Sequence, residues 1–90
     1  MTKAELIDRL KHRTGLRKQE LVEILDAILE EMAEAFVRQE RIELRGFGVF
    51  IPVKRKRRKS EDKIPRIKFK LSQVIRQRMI AEENRKRREK

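Results

Sequence analysis

Lys54, Arg55, Lys56, Arg57, Arg58 and Lys59 are six cations in a row, and a few residues on, Arg66, Lys68 and Lys70 alternate with apolar neighbours. Lys and Arg at this density do one kind of chemistry well: they neutralise phosphates and release the counterions condensed on a polyanion. In an extended chain the run is basic on both faces, whereas the alternating trio puts all its charge on one face. Cationic stripes are often merely solvated, but solvated strands usually mix signs, because like charges at neighbouring same-face positions repel. A polyanion-binding surface is the better reading.

No competing chemistry stands beside it. The single histidine, His12, lies between Lys11 and Arg13 on a polar helix side and reads as a surface residue. The many carboxylates between residues 20 and 34 are spread over a solvated helix face. No Gly-rich loop leads into Lys-Ser/Thr, no cluster has metal-ligand spacing, and no nucleophile stands next to a base. Neither an enzyme, a cofactor, a metal site nor a small-molecule substrate is expected.

Composition narrows the partner. The chain has 90 residues, 38% hydrophobic and 46% charged, which suits one domain with a core too thin for a comfortable monomer. It contains no Cys, pointing to a reducing compartment. No apolar stretch nears the roughly 20 residues of a membrane span, and "MTKAELIDRL" lacks the apolar centre of a signal peptide. A cytoplasmic, nucleoid location with no membrane contact is expected. The net charge of +11 is divided unevenly: residues 1–50 hold nine Lys/Arg against ten Asp/Glu, and residues 51–90 hold seventeen against five. A neutral scaffold presenting a strongly basic half suits nucleic acid.

The elements that must position these cations form an α+β pattern. Thr2 and Glu5 read as a capping box opening a first helix, and Gly15 closes it. A longer helix from near Arg17 carries Leu21, Ile24, Leu25, Ile28, Leu29, Met32, Ala35 and Phe36 at spacings of three and four. That stripe is wider than one short helix covers. From Arg41 the period becomes two, with Ile42 and Leu44 inward; "RGFG" reads as a tight turn, and Val49, Ile51 and Val53 continue in a second strand. Pro52 has no N–H, so pairing is expected to weaken there. Ile67, Phe69 and Leu71 form the apolar face of a third strand. Ser72 then caps a last helix with Val74, Ile75 and Met79, running into a basic end. The expected division is a helical part over 1–40, a sheet over 41–71 with a basic hairpin arm at 53–64, the last helix from 72 to 79, and a basic helical extension or tail over 80–90.

"MTKAELID", "TGL", "ELRGFGVF" and "FKLSQVIR", in this order and at these separations, resemble segments of the bacterial histone-like HU and integration host factor family. The resemblance spans roughly residues 1–79. It implies an intertwined homodimer with a helical base, a saddle of sheets, and two arms reaching around the minor groove of double-stranded DNA. Leu25, Ile28, Leu29, Met32, Phe36, Leu44, Phe47, Phe50 and Phe69 would then fill the shared core. It also implies DNA contacts from Arg45 and the bare backbone of Gly46 and Gly48 at the strand turn. Lys3, Arg66, Lys68, Lys70, Ser72, Gln73 and Arg76 map onto the saddle and the start of the last helix, alongside Lys54–Lys59 and Lys63 of the arm.

Three departures qualify that picture. Family arms usually end in a tip with Arg-Asn-Pro, whose proline wedges between base pairs, whereas this tip reads "RRKSEDK" and the hairpin projects only on the order of 25 Å. Arg17 stands where the family commonly has a Ser or Thr cap, and Leu71 where it commonly has a proline. The expected function is an architectural DNA-binding protein that reads phosphates more than bases and coats, stiffens or bridges DNA without a sharp kink. A basic RNA-binding or ribosome-associated protein is the alternative; such modules usually stack bases on exposed aromatics, and the four phenylalanines here are needed for the core.

Overall fold

The Thr2 hydroxyl accepts a hydrogen bond from the Glu5 amide (3.2 Å), the Thr2 half of the expected capping box, and opens α1, Lys3–Thr14. The computed structural model describes residues 1–56 and 63–88, and of Arg55, Lys56 and Lys63 the backbone alone. It divides the chain into two compact units, Met1–Glu34 and Ala35–Lys90, with α2, Lys18–Val37, running through the boundary. Arg57, Arg58 and Lys59 lie outside the described residues.

In the first unit, α1 ends on Gly15, whose φ of 76° is left-handed and whose N–H reaches the Lys11 carbonyl (2.8 Å). Lys3 and Asp26 form a salt bridge between α1 and α2. Ile7 and Leu21 are buried, and Leu25 and Met32 are half-buried. Ile24, Ile28 and Leu29 keep about half their surface in solvent, so the apolar stripe of α2 is covered along one side only.

The second unit begins with the end of α2. The Glu40 N–H reaches the Ala35 carbonyl (2.8 Å) and the Gln39 N–H reaches that of Phe36 (2.9 Å), with Gln39 at a φ of 59°. This is a Schellman ending, with a glutamine at the position usually held by glycine. Arg38 donates to Glu40 (2.8 Å), and that hydrogen bond, more than the charge itself, holds the Glu40 carboxyl below the usual carboxylate range.

Three strands follow, β1 (Ile42–Leu44), β2 (Gly48–Lys56) and β3 (Lys63–Leu71), in an antiparallel sheet of order β1-β2-β3. Leu44 pairs with Gly48 across a three-residue loop, closed by the Phe47 N–H on the Leu44 carbonyl (2.9 Å). Gly46 takes a φ of 80° there, the third position of a type II turn, where a side chain is strained. The expected weakening at Pro52 does not occur: β2 and β3 stay paired through Pro52↔Ile67 to Lys56↔Lys63. β1 starts only at Ile42, opposite Phe50, so past Phe50 one edge of β2 has no neighbouring strand among the described residues, a setting that tolerates a residue without an N–H.

On one sheet face the rings form a string, Phe36 to Phe50 (5.5 Å between centroids), Phe50 to Phe69 (4.7 Å) and Phe69 to Phe47 (5.6 Å). Tilted ring pairs of this kind contribute about 0.5–1.5 kcal/mol each beyond the area they bury. Phe36 and Phe50 are half-buried, while Leu44, Phe47 and Phe69 are exposed in the single chain. The last helix, α3, covers Gln73–Arg88, so the expected final helix and basic extension form one element as far as Arg88.

Candidate nucleic-acid interface

Alternate residues of a strand face opposite ways and directly paired residues share a face, so the register settles what each sheet face carries. Gly48, Phe50 and Pro52 lie beside Leu71, Phe69 and Ile67 on the aromatic face. On the other, Val49 pairs with Lys70, Ile51 with Lys68 and Val53 with Arg66. The three cations are exposed, and successive ones are about 6.7 Å apart along the strand. No salt bridge ties Arg45, Arg66, Lys68 or Lys70 to a carboxylate among the described residues. Glu43, paired with Val49 on β1, is the acidic side chain of this face.

A second group lies beside the β1–β2 turn. Arg45, Gly46, Gly48, Lys70, Ser72 and Gln73 line an open hollow of about 380 Å³, so six of the residues singled out in the sequence come together. The Ser72 N–H donates to the Phe47 carbonyl (2.9 Å), and the Ser72 hydroxyl accepts from the Val74 amide (3.2 Å), which starts α3 next to the turn. Arg76 follows one helical turn on, exposed.

The remaining candidates are placed differently. Lys54 pairs with Pro65 on the aromatic face, away from the cationic row. Lys3 belongs to the first unit, where Asp26 holds its ammonium. Arg55, Lys56 and Lys63 continue the two strands toward the arm, and Arg57, Arg58 and Lys59 belong to the segment between them that is not described. Gly48 is buried, with the Phe69 ring and the Lys70 carbonyl both 2.6 Å from where a Cβ would stand, a packing role for which the sequence held no signal. Arg41, Val49 and Ile51 line the hollow as well. Arg41 shares strand parity with Arg45, and that parity is the sequence signal that marks it.

The family of bacterial DNA-binding proteins matches the chain over residues 1–64. A stretch of 50 residues, 56% of this chain and 56% of the relative, is 46% identical to DNA-binding protein HU of Thermotoga maritima. Another of 51 residues, 56% of this chain and 55% of the relative, is 49% identical to integration host factor subunit beta of Stutzerimonas stutzeri. The chain thus spans little more than half the length of these relatives. Among solved structures, HU from Thermotoga maritima has a TM-score of 0.67 at 32% identity, over 88% of this chain and 98% of that one. An Anabaena HU–DNA cocrystal structure has a TM-score of 0.74 at 26% identity, over 88% and 97%.

Proposed function

The chain belongs to the family of bacterial DNA-binding proteins, and from that membership we propose that it binds double-stranded DNA as an architectural, histone-like protein of the cytoplasmic nucleoid. The observation that carries this reading is the exposed row Arg66, Lys68 and Lys70, free of carboxylate partners among the described residues. Each cation set against a phosphate releases counterions, a gain that does not depend on base sequence. Val49, Ile51 and Val53 beside the row carry no donors or acceptors with which to read base edges. Specificity is therefore weak, and what there is comes from the shape and flexibility of the duplex. Lys54–Lys59 and Lys63 supply further cations from the arm, Lys54 from the other face of the sheet, and Arg45, Gly46, Ser72, Gln73 and Arg76 extend the track at the other end.

The protein acts as a homodimer. What supports this is the half-exposed side of α2 (Ile24, Ile28, Leu29) and, in the other unit, the open rings of Phe47 and Phe69. The role calls for no reaction and no cofactor.

Anisotropy titrations with two duplexes of unrelated sequence, across a salt series, test the reading. The two affinities should be similar and should fall steeply with salt. Replacing Arg66, Lys68 and Lys70 by Ala should flatten the plot of log K against log salt by about 0.9 for each phosphate no longer neutralised. An unchanged slope, or one sequence bound orders of magnitude more tightly with little salt dependence, would overturn it.

A further inference from the structure

α3 carries a second concentration of charge that the sheet does not use. Its last turn is Arg85, Lys86, Arg87 and Arg88, and every residue from Arg76 to Arg88 is exposed. The helix lies beyond the residues over which the family matches, 1–64, so its role is not inherited from that match. Cations in a last turn do favour a helix through its dipole, which one or two satisfy. Four at consecutive positions, about 100° apart around the axis, make a collar with a cation on each side of the helix. Glu82 holds Arg85 from the preceding turn. From Ala81 to Arg88 there is no large apolar side chain to enter a membrane, so the collar suits a charged, hydrated polymer.

Along the chain it is far from the arm. The nine residues of β3, about 30 Å of strand, run from the arm at Lys63 to Leu71 beside the β1–β2 turn. α3 starts there, tied by the Ser72 N–H to the Phe47 carbonyl, and its sixteen residues extend about 24 Å further along the chain. Accepting that the sheet binds one duplex, we propose that the Arg85–Arg88 collar grips the backbone phosphates of a second, so that the protein bridges two DNA segments.

The test immobilises a biotinylated duplex on beads, loads it with the full-length protein, washes, and adds a fluorescent duplex of unrelated sequence. The wild-type chain should capture the second duplex. K86Q/R87Q/R88Q, which keeps the Arg85–Glu82 pair, should capture about ten-fold less or below, while its affinity for a single duplex changes by less than about three-fold. K86R/R87K/R88K, which preserves charge, should capture like wild type, and circular dichroism should give the same helicity for all three. Capture by the Gln variant equal to wild type, or no capture by wild type, overturns the proposal. A fall of about ten-fold or more in single-duplex affinity of the Gln variant also overturns it, because the collar would then be gripping the same duplex. Failure of the wild-type chain to load onto the beads would instead overturn the reading of the sheet.

Discussion

Gly46 and Gly48 sit two residues apart and are glycine for different reasons. Gly46 is required by its backbone, at a φ of 80° with open space where a side chain would point. Gly48 is required by its neighbours: an alanine methyl would meet the Lys70 carbonyl as well as the Phe69 ring, and the backbone cannot step aside. Gly48→Ala should therefore cost about 1–3 kcal/mol by denaturant unfolding. It should also disturb the ring string, whereas Gly46→Ala should cost about 1–2 kcal/mol and leave the rings in place. Gln39 shows the opposite case, a side chain at a left-handed position that ends α2. Gln39→Gly should raise stability by up to about 1 kcal/mol, seen as a higher melting temperature. The turn at Gly46 was legible in "RGFG", because positive φ has a local signature. The packing at Gly48 was not, because the ring that covers it is 21 positions away and arrives only through strand pairing.

Among the elements, β3 was the most legible, since its alternation of cations with Ile67, Phe69 and Leu71 states both faces at once. β2 was less so. Val49, Ile51 and Val53 resemble a core-facing set, but the three-residue loop at 45–47 fixes strand parity, and it sets them beside the cations while Phe50 and Pro52 take the aromatic side. Parity across a loop depends on how many residues the turn consumes, which composition does not encode. The arm also makes a prediction. Both prolines of the hairpin, Pro52 and Pro65, are held at paired ladder positions, and the segment 57–62 contains none. An apolar wedge for a base step is thus missing from the connection, and fluorescence transfer between the ends of a short duplex should show no sharp kink on binding. Two localised bends per bound dimer would refute this.

For the whole molecule, the shortage of core was visible in the sequence, and the structure locates it. Burying the open half of Ile24, Ile28 and Leu29 in each of two copies contributes on the order of 5–9 kcal/mol. That is comparable with the cost of association, so a stable dimer needs Phe47, Phe69 and Leu44 to add to it. The unfolding midpoint should accordingly rise with protein concentration, and sedimentation should give a dimer at micromolar concentration. A folded monomer there would count against the dimer. What the sequence did not disclose was the division into two units, because α2 is continuous through it and no break in composition marks the boundary. That division has a spectroscopic consequence. The chain has no Trp or Tyr, and its four phenylalanines all lie in Ala35–Lys90, while the sole imidazole, His12, lies in Met1–Glu34. Benzyl ring resonances and near-ultraviolet dichroism therefore report one unit, and the imidazole proton signals report the other. Order lost in either half during heating can be followed without adding a label.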